Sequence, residues 1–367
     1  MSGRPFVRLR IAMLSYRLPV EGQKRGGIER AADTLAQGLA ERGHQVVVFS
    51  HDQRPAGAAY DVRPLPWQGF VDTWIGRRLT MGYLGNVLAV VPRYRDFDVV
   101  VTHGDSLLLG FLSKPVLRVM HGSARGEAQS ARSWGRWILQ YGVYAQELAT
   151  AALQHGVVAV SENTRRDNPA IAHVIPHGVD RRVFHAVPGS KSPEPSVLFV
   201  GTLDGRKRGR LLLDAFSDTI RPLHPTATLT IVGQQGPDRP GVEYRTGVSD
   251  TELAALYRRA WVYASPSTYE GFGLPYLEAM ACGTVVVATS NPGSLEVLGD
   301  GEYGLMPSDE TFGIVVAELL GDEARRVSLC GRGLRRAGEF SLDAMIEHYE
   351  DVLMELTSTH ARPVASH

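Results

Sequence analysis

Two glutamates near the middle of the C-terminal half have a spacing that suggests chemistry. Glu270 and Glu278 are separated by seven residues and bracket the turn Gly271-Phe272-Gly273. The apolar run Trp261–Ala264 predicts a strand before this turn, and Pro275–Cys282 predicts a helix after it. In an open parallel sheet such a turn lies at the carboxyl edge, where backbone N–H groups and a helix N-terminus attract anions. The pattern therefore predicts a site for an anionic ligand.

Glu278 is flanked by apolar neighbours, Leu277 and Ala279. A buried carboxylate needs hydrogen-bond partners, and the two hydroxyls of a ribose would supply them. The alternative interpretation is a turn glutamate followed by a solvated helix glutamate.

A second strand-to-helix turn carries three consecutive cations, Arg206, Lys207 and Arg208. The forked donors of arginine and the point charge of lysine both suit a diphosphate. A basic turn that is simply solvated is the alternative. Because Arg208 extends the cluster, the two phosphate-binding positions could also shift by one residue.

The N-terminal half contains two further candidates. Gly27 follows another glycine at the start of a predicted helix, Ile28–Arg42, and would let the backbone approach a ligand closely. His121 ends the predicted strand Val116–Met120 and is followed by glycine, so it either faces a ligand or is a satisfied core histidine. His103 has a similar position.

We expect no metal site. Asp96 and Asp98 form an Asp-x-Asp pair, but they directly precede the predicted strand Val99–Thr102. They would therefore lie at the amino edge of the sheet, away from the expected ligand site.

These candidates depend on an alternation of short β-branched runs with amphipathic segments, which predicts an α/β fold with parallel sheets. The first half contains predicted strands at Arg8–Ser15, Gln45–Ser50, Val99–Thr102, Val116–Met120, Val157–Val160 and His173–Ile175. The second contains them at Val197–Val200, Leu229–Val232, Trp261–Ala264 and Val285–Ala288. The proline- and serine-rich stretch Val187–Pro195 predicts the linker between two domains.

Composition limits the class of protein. With 367 residues, 44% of them hydrophobic and 21% charged, the chain predicts two ordinary globular domains. Its 39 basic and 39 acidic residues balance, which argues against nucleic acid as a partner. No run approaches ~20 apolar residues, so we expect no spanning helix. Both cysteines, Cys282 and Cys330, lie in segments predicted to be helical, which fits buried thiols in a reducing cytoplasm better than a disulfide.

Taken together, these segments resemble the retaining glycosyltransferases of family 4, which have the two-domain GT-B architecture. The resemblance covers essentially the whole chain and is carried by the segments 26–29, 174–180, 200–207, 248–257 and 270–278. It implies two Rossmann-like domains facing across a cleft, an acceptor-side domain at 1–186 and a donor domain at 187–341. A helix at 342–356 would cross back to the N-terminal domain, and 357–367 would be a disordered tail.

The resemblance also implies roles for the candidate residues. Glu278 would bind the ribose hydroxyls and Glu270 the donor sugar, while Arg206 and Lys207 would neutralise the diphosphate. The turn residues complete the predicted donor-binding set: Gly271, Phe272, Gly273 and Leu274.

Four further positions are assigned in the same way. The Gly27 backbone would close over the donor, and His121 matches a histidine near the reacting sugar. Thr202 stands where many members have arginine, although a subgroup also has threonine. His177 replaces an asparagine and is interpreted as structural.

The predicted activity is transfer of a hexosyl unit, with retention, from a UDP- or GDP-sugar to a glycan, lipid-linked or small-molecule acceptor, without cofactor or metal. Glu270 could instead act as a nucleophile. A sugar-nucleotide epimerase and a catalytically silent nucleotide-sugar-binding protein are the alternatives. A glycan phosphorylase is disfavoured because it would need a pyridoxal lysine, and the only lysine beyond the linker, Lys207, is already assigned to the diphosphate.

The acceptor site has no clear pattern in the sequence. One set of residues could form an amphipathic surface for a lipid-linked acceptor at the inner face of a membrane, or a core helix with a basic outer face. This set comprises Trp74, Arg77, Arg78, Met81, Tyr83 and Leu84.

Overall fold

The computed structural model describes residues 7–19, 26–65, 94–104, 107–129 and 133–360. The chain forms two compact units, one comprising Met1–Ile175 with Met345–His367 and the other Pro176–Ala344. We call them unit 1 and unit 2 and describe each by itself.

Unit 1 is built on a parallel sheet of seven strands in the order β3-β2-β1-β4-β5-β6-β7. The strands are β1 Arg10–Leu14, β2 Gln45–Ser50, β3 Asp61–Pro64, β4 Val99–Thr102, β5 Val116–Met120, β6 Gly156–Ala159 and β7 His173–Val174. The helices are α1 Gly27–Glu41, α2 Ala124–Gln129, α3 Trp134–Leu153 and α4 Glu162–Asp167, with a 3₁₀ turn at Leu107–Phe111. The order reverses between β1 and β4, where sheets of this kind bind ligands.

Helix α1 illustrates how the sequence specifies these elements. Its apolar positions recur with helical spacing, so that one face is buried against the sheet. The helix ends just before Gly43, which has a φ of 98° that favours glycine.

Unit 2 is built on a parallel sheet of five strands in the order β10-β9-β8-β11-β12. The strands are β8 Ser196–Val200, β9 Thr228–Val232, β10 Val242–Arg245, β11 Val262–Ser265 and β12 Val285–Ala288. The helices are α5 Gly209–Ala215, α6 Arg221–Leu223, α7 Asp250–Arg259, α8 Leu274–Ala281, α9 Pro292–Leu298, α10 Phe312–Gly321 and α11 Glu323–Gly338, with a 3₁₀ turn at Gly205–Lys207 and a π-helical turn at Phe216–Ile220. This order reverses between β8 and β11.

The chain passes from unit 1 to unit 2 after Ile175, earlier than the predicted boundary after residue 186. The backbone N–H of Val179 donates to the carbonyl of Phe340 at 2.9 Å, which ties the segment after Ile175 to the end of unit 2. The predicted linker packs within unit 2, because Lys191 Nζ donates to the carbonyl of Ala260 at 2.6 Å.

The last helix, α12, runs from Leu342 to His360 and returns to unit 1. Glu350 on this helix accepts hydrogen bonds from Arg42 Nη1 at 2.8 Å and pairs with His44 Nε2 at 3.1 Å. The predicted return of a C-terminal helix is therefore confirmed. The helix is longer than predicted, because residues 357–360 belong to it; the rest of the predicted tail, 361–367, lies outside the described residues.

The parallel α/β fold in two Rossmann-like units is confirmed, and the buried strands fall close to their predicted positions. Two strands were missed, β3 and β10, because both are short, polar edge strands. Within the described ranges, none of the helices combines the length and apolar character that a membrane-spanning segment needs.

Candidate active site

The two motif turns of unit 2 follow neighbouring strands. β8 pairs with β11 in parallel, and the basic turn follows β8 while the turn with Glu270 follows β11. Both turns therefore lie at the carboxyl edge of the sheet, at the reversal of strand order. The fold brings together the cations and the carboxylate that the sequence singled out separately.

The basic turn contacts the second turn through the side chain of Glu270. This side chain is 8% exposed, and Lys207 Nζ donates to Glu270 Oε1 at 2.6 Å. Arg206 Nη1 donates to Glu270 Oε2 at 3.2 Å and to the carbonyl of Tyr269 at 2.6 Å. Both oxygens of the carboxylate are thus held by cations.

The charges of these neighbours keep Glu270 ionised. Burial by itself would raise the pKa of Glu270, but the charge of Lys207, then that of Arg206, and hydrogen bonds from Lys207 and Ser267 outweigh it and leave the pKa lowered. Two cations against one carboxylate leave this edge of the sheet with a net positive charge.

Arg208 contacts different partners from those of Arg206 and Lys207. Its Nε donates to the carbonyl of Pro266 at 2.6 Å, and its guanidinium forms an ion pair with Asp309. Of the three consecutive cations, Arg206 and Lys207 therefore face the carboxylate of Glu270. Thr202, earlier in the turn, donates from Oγ1 to the carbonyl of Asp204 at 2.9 Å.

The glycine turn beyond Glu270 requires a special backbone conformation. Gly273 has a φ of 100° and precedes Leu274, the first residue of α8. Phe272 is buried between His177 and Phe340, with ring centroids 5.5 and 5.7 Å away. The phenyl ring of Phe272 therefore anchors the turn, while Gly271 and Leu274 are partly exposed.

His177, interpreted from the sequence as structural, is buried against the Phe272 ring. Burial lowers the pKa of His177 to about 4, so the imidazole is neutral near pH 7.

Glu278 lies on α8 and is 2% exposed. Tyr257, itself fully buried on α7, donates from its hydroxyl to Glu278 Oε2 at 3.2 Å. The burial expected from the apolar neighbours of Glu278 is thus observed, with a tyrosine hydroxyl as one hydrogen-bond partner.

In unit 1, His121 and His103 lie at the ends of β5 and β4 and form a pair. His103 Nδ1 is 2.9 Å from His121 Nε2, and the two rings are stacked with centroids 5.1 Å apart. Gly27 is the first residue of α1, and a Cβ built there would lie more than 4 Å from every atom of the described residues beyond its chain neighbours and the backbone of its own helix.

Neither aspartate of the Asp-x-Asp pair is placed at this edge. Asp98 Oδ2 accepts a hydrogen bond from the backbone N–H of Arg10 at 2.7 Å, at the amino end of the sheet. Across the parts of the chain that the structure describes, no three His, Cys, Asp or Glu side chains are grouped so as to hold a metal ion. The predicted acceptor surface between Trp74 and Leu84 lies outside the described residues.

Two residues that shape the unit 2 site were not singled out by the sequence. Tyr257 donates a hydrogen bond to Glu278. A Cβ at Gly293, near the start of α9, would lie 2.8 Å from the Cβ of Glu270, so only glycine allows this close approach. Tyr257 and Gly293 lie on ordinary helices, and nothing in the spacing of the sequence marks them.

Two family models together match residues 25–323 of the chain. A family model described as Glycosyltransferase Family 4 matches residues 25–183, and one described as Glycosyl transferases group 1 matches residues 180–323. An MMP alpha-(1->4)-mannosyltransferase of Mycolicibacterium hassiacum is 28% identical, over 90% of this chain and 94% of that protein.

Solved structures share the fold. A sucrose-phosphate synthase from Thermosynechococcus elongatus superposes with a TM-score of 0.76 at 22% identity, over 96% of this chain and 100% of its own. Anabaena HepE in complex with UDP-glucose superposes with a TM-score of 0.71 at 17% identity, over 95% and 100%. The chain therefore belongs to glycosyltransferase family 4 and is a glycosyltransferase enzyme with two Rossmann-like domains of the GT-B type.

Proposed function

We propose that this enzyme is a retaining hexosyltransferase that uses a nucleotide-diphosphate sugar, either a UDP- or a GDP-sugar. The hexosyl unit passes to a hydroxyl group of a glycan, a lipid-linked sugar or a small molecule. One observation carries the proposal: the buried, ionised Glu270 is held by Arg206 and Lys207 at the carboxyl edge of the unit 2 sheet. A mannosyltransferase among the relatives and a UDP-glucose complex among the similar structures support it.

In this proposal, Arg206 and Lys207 bind the diphosphate of the donor. The diphosphate gains negative charge as the glycosidic bond breaks, so cations that are already in place stabilise the transition state more than the ground state. The excess of two cations over one carboxylate supplies this charge. We further propose that no metal is required. Activity should persist in EDTA, and a complete loss that Mg²⁺ or Mn²⁺ restores would contradict this.

Glu270 has an electrostatic and positioning role in this proposal. Its two oxygens already contact Lys207 and Arg206, which lowers its basicity and favours contact with the donor sugar over attack on it. Glu278, held by the Tyr257 hydroxyl, is assigned to the ribose.

The remaining assignments follow the family resemblance. The turn from Gly271 to Leu274 and Thr202 contribute to donor binding in unit 2. In unit 1, the backbone of Gly27 is assigned to the donor and His121 to the reacting sugar.

Retention of anomeric configuration is part of the proposal and rests on family membership. Proton NMR of the freshly formed glycoside tests it through the anomeric coupling constant. A product with the donor's configuration supports retention, and an inverted product would contradict it.

The cellular location is part of the same proposal. We place the enzyme in the cytoplasm, with peripheral contact at the inner face of the membrane when the acceptor is lipid-linked. Sedimentation with vesicles that carry a lipid-linked sugar, against vesicles without it, tests this contact.

The decisive experiment for the class of activity measures release of nucleoside diphosphate from a panel of UDP- and GDP-sugars, with and without acceptor sugars. Thermal shifts first identify the donor, because a ligand that binds only the folded state raises Tm. A transferase releases nucleoside diphosphate faster with acceptor. Donor binding without release would indicate a silent binding protein, and conversion to an isomeric sugar nucleotide would indicate an epimerase.

A further inference from the structure

Arg208 has a backbone conformation that is unusual for its residue type. Its φ of 48° and ψ of 38° are left-handed, and among the described residues the only other non-glycine with a positive φ is Asp300. Glycine adopts this conformation at no steric cost, whereas a side chain with a Cβ is strained there. Arginine at this position therefore needs contacts that hold it.

The side chain supplies these contacts from three separate segments. Arg208 Nε donates to the carbonyl of Pro266 at 2.6 Å, and Nη2 donates to Thr289 Oγ1 at 3.3 Å. Nη2 also donates to Asp309 Oδ1 at 2.8 Å, and Nη1 donates to Asp309 Oδ2. The guanidinium is thus engaged at all three nitrogens, and the side chain is 14% exposed.

These contacts act on the segment that carries Glu270. Pro266 stands four residues before Glu270, and the backbone N–H of Thr268 donates to the carbonyl of Arg206 at 2.9 Å. The turn is consequently fixed from both sides. Lys207 and Arg206 reach Glu270, while the next residue reaches back to Pro266.

We propose that Arg208 is a positioning residue: its guanidinium anchors the basic turn in the left-handed conformation that directs Lys207 and Arg206 to Glu270, and it does not itself bind the diphosphate. The functional part of this inference rests on the proposed function. The geometric part does not, because it concerns the placement of Lys207 in the protein without ligand.

Chosen substitutions separate anchoring from phosphate binding. Arg208→Ala removes the anchor and keeps a Cβ at the strained position, whereas Arg208→Gly removes the anchor and accepts the left-handed conformation. Asp309→Asn weakens one of the three contacts. Arg210→Ala is the matched control, because Arg210 pairs with Asp204 on the same turn but is 58% exposed.

The first readout is acylation of Lys207 in the ligand-free protein, followed by mass spectrometry of its peptide. Lys207 is 18% exposed and its ammonium contacts Glu270, so the wild-type rate should be slow. We expect Arg208→Ala to raise the rate about tenfold, Arg208→Gly and Asp309→Asn to raise it less, and Arg210→Ala to leave it unchanged. Lys114 in unit 1 serves as the internal reference.

The second readout is the separate effect on kcat and on the KM of the donor. Anchoring predicts a fall in kcat of about tenfold in Arg208→Ala, partly recovered in Arg208→Gly, with little change in KM. A different result would overturn the inference: an equal rise of the donor KM in Arg208→Ala and Arg208→Gly, with Lys207 acylation still slow in both. It would mean that Arg208 itself binds the diphosphate.

The two readouts also distinguish this inference from the proposed function. Unchanged acylation in Arg208→Ala, Arg208→Gly and Asp309→Asn alike refutes anchoring whatever the activity. The expected order of acylation rates, in a protein that releases no nucleoside diphosphate from any donor, would uphold anchoring and refute the proposed function. Thermal melts identify any variant that fails to fold.

Discussion

The carboxyl edges of the two sheets carry different chemistry, although the first five strands of each unit follow the same order. In unit 2 the edge holds full charges, with Glu270 between Lys207 and Arg206. In unit 1 the corresponding edge holds His103 and His121, whose ring nitrogens are 2.9 Å apart. Both lie at or beside a reversal of strand order, where a doubly wound sheet exposes backbone and side chains to a ligand.

The difference indicates what each edge can bind. A buried carboxylate is tolerated only when it is paired, and the pairing of Glu270 also fixes the positions of its two cations. Two imidazoles that share one short contact need one donor and one acceptor nitrogen, so the described residues of this edge offer ring nitrogens where unit 2 offers a carboxylate paired with cations. We therefore expect charge changes in unit 2 to affect activity more than changes at the histidine pair.

The largest effect is expected at Glu270. Glu270→Ala should lower kcat by about 10²-fold, because Lys207 and Arg206 lose the group that positions them and the donor sugar loses a contact. Steady-state kinetics at saturating donor measure this. Glu243→Ala is the control, since Glu243 forms an exposed ion pair with Arg245 on the same sheet, and its kcat should not change. An effect of Glu270→Ala on KM alone would contradict the assignment.

Glu278 should give a smaller effect of another kind. If it holds only the ribose, Glu278→Ala removes binding that is equal in the ground and transition states, so the donor KM rises about tenfold while kcat is nearly unchanged. Tyr257→Phe keeps the carboxylate and removes one hydrogen bond, so its KM should lie between those of the wild type and Glu278→Ala. A kcat loss as large as that of Glu270→Ala would contradict the assignment of Glu278 to the ribose alone.

The smallest effect is expected at the histidine pair. His103→Ala removes one hydrogen bond to His121, worth about 1 kcal/mol, so kcat/KM should fall about fivefold. The exposed His173 of unit 1 provides the control variant His173→Ala. A loss near 10²-fold in His103→Ala would contradict the ranking of the two edges, because the histidine pair would then matter as much as Glu270 with its two cations.

The sequence predicted most of the fold because buried parallel strands are continuous apolar runs. β2, β4, β5 and β12 begin and end at the predicted residues. The edge strand β10 was not predicted, because Val242–Arg245 has only four residues and every second one is charged. Elements of this kind are fixed by pairing with a neighbouring strand, which no local pattern records.

The sequence singled out the main residues of the candidate site but not the contacts between them. The spacing identified Glu270, Glu278 and the basic turn, since each lies where a strand meets a helix. Which two of the three cations face Glu270 depends on the left-handed backbone of Arg208, and a run of basic residues does not reveal it. The domain boundary was misplaced because a proline-rich stretch can pack against its own domain, as Lys191 does.

The central claim is that Lys207 and Arg206 stabilise the departing diphosphate. The most direct test is kcat for nucleoside diphosphate release, at saturating donor and acceptor, in Lys207→Ala and Lys207→Arg. The account predicts a lower kcat in Lys207→Ala and partial recovery in Lys207→Arg, which restores the charge but not the compact ammonium that meets Glu270 Oε1 at 2.6 Å. An unchanged kcat in folded Lys207→Ala would contradict it.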